Sequence, residues 1–286
     1  MEHITHLHDL IIKDGITKHA FELFKSLILD YYRTNGRTFA WRCTTNAYHI
    51  FISEVMLQQT QTHRVTEKYT LWCATFPDFR TLAHASFRDV LSCWQGLGYN
   101  RRALYIHKSA QRIVDEYGSN LPTDPNLLIT LPGIGPNTAG SICAFAFNKP
   151  VIFIETNIRT VFIHCFFPGK TGISDKQLLP LIECTLDTQN PREWYYALMD
   201  FGVMLKKTYA NPSHKSAHHT RQSKFEGSDR KIRGEILRLI LKHQNMVHKK
   251  IVTHFYHEPA ERIERILHEL ISDGLIINNN NNYLLT

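Results

Sequence analysis

Hydrophobic residues recur every three or four positions along most of the chain, the period of helices with one buried face, and strand-like alternation is almost absent before residue 270. The pattern predicts helices over 18–32, 47–62, 64–76, 87–94, 101–117, 124–130, 137–147, 156–165, 175–187 and 193–206. Short joints bearing Gly or Pro separate them: GLGYN at 96–100, LPGIGP at 131–136 and FPGKTG at 167–172. The body is expected to be all-α.

From 207 to 228 the period breaks into KTYANPSHKSAHHTRQSKFEGS, polar, basic and rich in His and Ser, which reads as a linker. Beyond it DRKIRGEILRLILKHQ is a strongly amphipathic helix, followed by a shorter one at 248–255 and by EPAERIERILHELISDG, with Pro259 near its first turn. The tail LIINNNNNYLLT reads as two short strands around an Asn-rich turn. Helices and hairpin together outline a winged helix, a helix-turn-helix variant. The expected organisation is a main domain over 1–206, a basic linker over 207–228 and a winged-helix-like domain over 229–286. Lys249, Lys250, Arg262 and Arg265 offer charge by which such a module could hold nucleic acid, and a protein partner is the alternative.

The chain has 286 residues, enough for a substantial core, and its 33 Lys and Arg against 26 Asp and Glu leave a net charge of +7. That balance suits a polyanionic partner, nucleic acid first. The six cysteines sit singly in apolar stretches with no CxxC pair, and read as buried thiols in a reducing compartment. MEHITHLHDLII has no basic segment and apolar core of a secretory signal, and no run is long enough to span a bilayer. A soluble, cytoplasmic protein is expected, associated with the nucleoid, or nuclear in a eukaryote.

Within the helix expected at 47–62 lies ISEVMLQQTQ, residues 52–61. Glu54, Gln58 and Gln61 fall at i, i+4 and i+7 and share one face of it. A carboxylate there loses solvation unless something polar meets it. A buried Arg partner or a helix-capping role is the structural alternative. In LPGIGPNTAG, residues 131–140, Gly133 and Gly135 permit positive φ and close backbone approach, and Pro136 suits the first turn of the helix that follows. A Gly-rich turn feeding a helix N-terminus can seat one phosphate. An ordinary helix–turn–helix joint is the alternative.

These segments occur together with AW at 40–41, WQGLGYNRRA at 94–103, ETNIRTV at 155–161 and ALMDFG at 197–202. In that order and spacing the chain resembles the helix-hairpin-helix DNA glycosylases, and within them the adenine glycosylases of the MutY type. The resemblance covers roughly residues 20–205, and SEVMLQQTQ is its most specific piece; endonuclease III-type relatives share the hairpin but differ there. It implies two α-helical subdomains with a DNA-binding cleft between them, followed here by the small winged helix.

The resemblance also implies roles. Glu54 matches the general acid that protonates the departing purine, and burial beside Ile52, Val55 and Leu57 is expected to raise its pKa. Gln58 matches a residue that wedges into the duplex beside the flipped nucleotide. Tyr99 matches an aromatic wedge on the partner strand, with Asn100 standing where the family often has a second Tyr. Gly133, Gly135, Asn137 and Thr138 belong to the DNA-binding hairpin. Glu155 stands where the family has an Asp that stabilises the oxocarbenium-like sugar; it keeps the charge but adds a methylene, and a misplacement near 1 Å can cost about a hundredfold in rate. A plain helix-capping Glu is the alternative. Asn157 matches an active-site Asn. Asn137 replaces the Lys that forms a Schiff base in bifunctional relatives, so a monofunctional enzyme without AP lyase activity is expected; MutY-type enzymes carry Ser or Tyr at this position. Both acids, Glu54 and Glu155, are expected to converge on one cavity that takes an extrahelical base.

Two family features are expected to be missing. The four Cys that hold a [4Fe–4S] cluster fall by spacing at Lys206, Ser213, Ser216 and Gln222, none of which is a thiolate, so no cluster is expected. His214, His218 and His219 have no Cys or acidic partner in sequence, and no metal is expected there. Lys206, Lys207, Lys215, Arg221 and Lys224 are read as facing phosphate. A winged helix is expected in place of the Nudix-like domain that reads 8-oxoguanine. The reading is a monomeric base excision repair enzyme acting on double-stranded DNA with a mismatched or damaged base, first of all adenine opposite guanine or 8-oxoguanine. Removal of thymine or uracil opposite guanine is one alternative, and non-catalytic binding of mismatched or damaged DNA is another.

Overall fold

The structure is a computed structural model describing residues 2–209, 211–220 and 224–286, and the chain is mostly helical. The helices run α1 (Glu2–Asp14), α2 (Lys18–Asn35), α3 (Ala47–Leu57), α4 (Thr62–Thr75), α5 (Phe79–His84), α6 (Phe87–Trp94) and α7 (Arg101–Tyr117). They continue as α8 (Pro125–Leu128), α9 (Pro136–Phe147), α10 (Thr156–Phe166), α11 (Asp175–Thr185) and α12 (Pro191–Thr208). Last come α13 (Asp229–His243), β1 (Asn245–Val247), α14 (His248–His254), α15 (Ala260–Ser272), β2 (Ile276–Asn279) and β3 (Asn282–Leu285). The all-α expectation holds for the body.

Local chemistry sets many of these boundaries. Asp78 and Ser86 cap α5 and α6 by accepting the backbone N–H of Thr81 and Asp89. Pro136 and Pro191 occupy the first turns of α9 and α12, where a missing N–H costs nothing. Asn148 ends α9 in the left-handed region at φ +52.

The chain forms two compact units that interleave in sequence. The first comprises Met1–Ala47, Thr123–Pro125 and Gly135–Arg221. Its core joins α2, α10 and α12 through Phe24, which meets Phe162 and Phe166 at ring distances of 5.2 and 4.8 Å. Asp200, 2% exposed, is a buried charge of this unit. It accepts from the backbone and side chain of Arg37 at 2.7 and 2.8 Å and from both terminal nitrogens of Arg42 at 2.9 Å. The segments around 40–41 and 197–202, far apart in sequence, are thereby tied to each other.

The second unit comprises Tyr48–Pro122, Asn126–Ile134 and Gln222–Thr286. Trp72 and Trp94 pack edge to face at 5.6 Å in its core. Its C-terminal portion is a winged-helix arrangement with one more strand than expected. β1 and β2 both pair antiparallel with β3, in the order β1-β3-β2, with Met246 opposite Tyr283 and Ile276 opposite Leu285. β1 is three residues long, too short for an alternation to show.

Other differences have physical causes. α1 was not expected, because only Ile4 and Leu7 are buried along a helix diluted by three His. α5, at six residues, is shorter than the windows in which a helical period emerges. The stretch 207–228 is not all loop: α12 runs to Thr208, Pro212–Lys215 form a 3-10 turn, and Ile173 bridges to Ser216. Of the cysteines, Cys143 and Cys165 are buried as expected, but Cys43 and Cys184 are exposed.

Candidate active site

Glu54 stands in the last turn of α3, where Ile50, Phe51, Ile52, Ser53, Val55 and Met56 are buried and Glu54 itself is half-buried. The end of this helix is organised by Arg102 of α7, 8% exposed. Its Nη1 donates to the carbonyls of Val55 and Met56 at 2.8 and 2.9 Å. Its Nη2 donates to Thr60 Oγ1 at 2.8 Å and to the carbonyls of Leu97 and Gly98 at 3.1 Å. A cation at a helix C-terminus satisfies carbonyls that the helix leaves open. Burial lowers the Arg102 guanidinium to about 10, with Tyr99 acting in the opposite sense, and it stays charged at neutral pH.

With those carbonyls turned to Arg102, the chain leaves the helix. Gln59 adopts φ +53 and Gln61 becomes the N-cap of α4. The helix expected over 47–62 therefore stops at Leu57, a turn over 58–61 leads into α4, and Glu54, Gln58 and Gln61 do not share one helical face. Gln58 instead lies in the turn, its Nε2 donating to the carbonyl of Gly133 at 3.1 Å. Gly133 has φ +76, and a Cβ there would lie 2.7 Å from Tyr105 Cδ2, so both conformation and space require glycine.

Tyr99 also belongs to this unit and has φ +48, in the left-handed region that non-glycine residues rarely adopt. Its hydroxyl accepts from Arg230 Nη1 at 2.7 Å. The guanidinium carbons of Arg102 and Arg230 lie 5.6 and 5.4 Å from its ring centroid, within cation–π range.

In the first unit Glu155 caps α10. Its Oε1 accepts the N–H groups of Asn157 and Ile158 at 2.7 and 2.9 Å, and its Oε2 accepts Asn157 Nδ2 at 3.2 Å. Lys206 Nζ donates to Asn157 Oδ1 at 2.7 Å. One turn before Lys206, Gly202 lets α12 approach closely: a Cβ there would stand 2.7 Å from the Cβ and carbonyl oxygen of Asn157. Burial lowers the Lys206 pKa, the charge of Glu155 raises it and that of Arg159 lowers it. Lys206 was expected to face phosphate; it faces Asn157 instead, because α12 continues past ALMDFG and carries its side chain to the start of α10. Asp175 is held by Arg159 at 2.7 and 2.8 Å.

Asn137 Oδ1 accepts the N–H of Ile154 at 3.1 Å, tethering the residue before Glu155. Thr138 lies in the first turn of α9 and its carbonyl accepts Ser141 Oγ at 3.0 Å. Gly135, the N-cap of α9, has φ −91, so it does not use the positive φ expected of it. Beyond its chain neighbours, no heavy atom among the described residues lies within 4 Å of where its Cβ would be, and none of their side chains caps this helix by a hydrogen bond.

At the positions implied for an iron–sulfur cluster, Ser213 Oγ donates to Asn211 Oδ1 at 2.8 Å and Ser216 Oγ accepts the N–H of His218 at 3.0 Å, while Gln222 lies outside the described residues, as does Arg221. An amine and two hydroxyls so engaged do not fit a cluster held by thiolates. His214 and His219 have ring centroids 4.5 Å apart, and no set of His, Cys, Asp and Glu among the described residues has the arrangement of a metal site. No helix among them is long and apolar enough to cross a membrane.

Arg102, Lys206 and Arg230 were not singled out for these roles by sequence. The adjacent arginines of NRRA after a Gly turn were the available signal for Arg102; nothing local marks the other two.

Residues 52–182 match the HhH-GPD superfamily of base excision DNA repair proteins. An adenine DNA glycosylase of Mycolicibacterium smegmatis is 31% identical over 269 residues, covering 87% of this chain and 91% of that enzyme. The adenine DNA glycosylase of Buchnera aphidicola subsp. Baizongia pistaciae is 34% identical over 188 residues, covering 64% of this chain but 53% of that enzyme, so the match spans about half its length. A thermostable thymine-DNA glycosylase superposes with a TM-score of 0.58 at 24% identity over 64% of this chain and 86% of its own, a likeness of fold. Family match, full-length relative and helical architecture agree: the chain belongs to the HhH-GPD superfamily of base excision DNA repair proteins.

Proposed function

We propose that the chain is a monofunctional DNA N-glycosylase that removes a mismatched base, adenine opposite guanine or 8-oxoguanine first. The observation that carries this reading is Glu54 in SEVMLQQTQ: a half-buried carboxyl on a rigid helix end, in a chain whose relatives include adenine DNA glycosylases. Glu54 gives its proton to the departing purine as the N-glycosidic electron pair moves onto the base. Glu155 faces the positive charge that develops on the sugar, and water then adds to C1′, giving up a proton that restores the Glu54 acid by way of solvent, to leave an abasic site. Gln58 fills the space the flipped nucleotide vacates, Tyr99 wedges into the partner strand, and the start of α9 with Gly133, Gly135 and Thr138 seats a backbone phosphate. An amide at Asn137 supplies no amine for a Schiff base. The enzyme works as a monomer on double-stranded DNA without an iron–sulfur cluster, in the cytoplasm or nucleus.

A non-catalytic binder of mismatched DNA is the second reading, favoured by one observation: Glu155 Oε1 already accepts two backbone N–H groups. Duplexes carrying A·G, A·8-oxoG, T·G or U·G, incubated with protein and then treated with alkali, separate the two. Alkali-dependent cleavage of the adenine strand is expected. Tight binding with no abasic site on any duplex establishes the binder, and cleavage confined to T·G or U·G moves the substrate to a pyrimidine. Strand nicking without alkali contradicts the monofunctional assignment.

A further inference from the structure

The C-terminal winged helix is the part of the chain to which the proposed reaction gives no task. In helix-turn-helix proteins the recognition helix enters the major groove with free polar side chains. Here α15 is the corresponding helix, and its arginines are engaged. Arg262 donates to Asp229 at 2.8 Å and to Glu258 at 2.6 Å, and Arg265 donates to Asp229 at 2.7 Å and to Glu269 at 2.6 Å. A phosphate would have to displace carboxylates from both.

The same module is fastened elsewhere in its unit. Arg88 donates to the carbonyls of Leu241 and Gln244, at the end of α13, at 2.7 and 3.1 Å. Arg101 pairs with Asp273 at 3.3 Å. Between these anchors, in the first turn of α13, Arg230 reaches the hydroxyl of Tyr99 at 2.7 Å and lies 5.4 Å from its ring centroid. Tyr99 needs such support: its backbone is in the left-handed region at φ +48, a conformation that costs energy and persists only where surroundings hold it.

We propose that Arg230 is a positioning residue for Tyr99, and that the C-terminal module is an intramolecular brace for the wedge and not a second reader of DNA. A ring already set in its inserting orientation loses less rotamer freedom when it enters the duplex. This rests on the reading of Tyr99 as a wedge. The clamp acts through the phenolic oxygen, so removing either end of the hydrogen bond has the same consequence.

The test uses the full chain with Arg230→Ala, Arg230→Lys, Tyr99→Phe, the double variant Arg230→Ala/Tyr99→Phe, and Tyr99→Ala. Three quantities are read: the ratio of Kd for matched and mismatched duplexes, the fluorescence of 2-aminopurine beside the target as a signal of flipping, and the thermal midpoint. Arg230→Ala and Tyr99→Phe are each expected to lower the ratio and the flipping signal about fivefold, with the double variant no worse than either and Arg230→Lys partly restored. A merely structural Arg230 lowers the thermal midpoint and weakens both duplexes equally, which overturns the proposal. So does a Tyr99→Phe variant that behaves as the parent while Tyr99→Ala is impaired. If Tyr99→Ala itself leaves flipping intact, the wedge reading has failed, and the brace with it. Finally, Arg262→Gln/Arg265→Gln is expected to leave the slope of log Kd against log salt unchanged; a slope smaller by about 2 makes the module a DNA reader.

Discussion

Lys206 Nζ lies 2.7 Å from Asn157 Oδ1, and the Nδ2 of the same amide reaches Glu155 at 3.2 Å. An ammonium, an amide and a carboxylate thus form one chain, in which the amide's orientation is dictated from both ends: an ammonium can only donate, so it selects the oxygen, and the carboxylate can only accept. This arrangement gives the longer Glu155 side chain a defined position.

Replacing Lys206 with Met should therefore slow excision about ten- to a hundredfold under single turnover while changing DNA affinity little, as expected for a lost positioning contact. Burial, the largest influence on Lys206, lowers its pKa, so the ammonium is lost at lower pH than that of an exposed lysine. Activity should fall on the alkaline side as this happens, and Lys206→Arg should move that limb to higher pH because a guanidinium stays protonated. Identical pH profiles for parent and Lys206→Arg would remove the charge from the argument.

Asp200 is expected to matter for stability. Burial by itself would raise its pKa, but the hydrogen bonds and charges of Arg42 and Arg37 more than offset this and leave it lowered. A carboxylate depressed in the folded state stabilises the fold above its unfolded pKa, and that contribution disappears as pH falls through the folded value. Asp200→Asn should cost about 3 kcal/mol at neutral pH by urea denaturation, because it leaves buried guanidinium charge uncompensated. The gap to the parent should narrow progressively in acid; a gap that does not change with pH would point to packing instead.

The two acids should separate by what they disturb. Glu54→Gln should abolish excision with mismatch binding retained, since an amide keeps the shape but has no proton to give. Glu155→Gln should slow excision and also cost about 0.5–1 kcal/mol of stability, because it removes a negative charge from the start of α10. Gel shift, single-turnover kinetics and thermal melts on the two variants make the comparison. Full excision by Glu54→Gln would end its assignment as the acid.

Gly133 and Gly135 make a further contrast. Gly133→Ala meets both a positive φ and a 2.7 Å contact with Tyr105, so it should destabilise the protein by about 1–3 kcal/mol. Gly135→Ala meets neither, and its stability should change by no more than about 1 kcal/mol. If the start of α9 seats a phosphate, Gly135→Ala weakens DNA binding nonetheless. Unchanged affinity would leave this hairpin a structural joint.

Iron content offers a direct check on the residues at the cluster positions. Purified protein should contain no stoichiometric iron and be colourless, since Lys206, Ser213 and Ser216 present an amine and hydroxyls. A brown preparation with bound iron would contradict this.

The sequence by itself determined most of the helical stretches, though not α1 or α5, because a three-to-four-residue spacing of apolar side chains is a property of each segment: 87–94 and 101–117 are helices from first to last expected residue. It also named the groups proposed for the chemistry, Glu54, Glu155 and Asn157 among them, and the glycine that the structure requires at 133. Tertiary structure alone decided where α3 stops, because the guanidinium that takes up its last carbonyls comes from Arg102 in another helix. It decided equally that Lys206 serves Asn157 and not phosphate, and that Arg230 holds Tyr99. Charged side chains are long and their partners lie tens of residues away, so a local period has no means of assigning them.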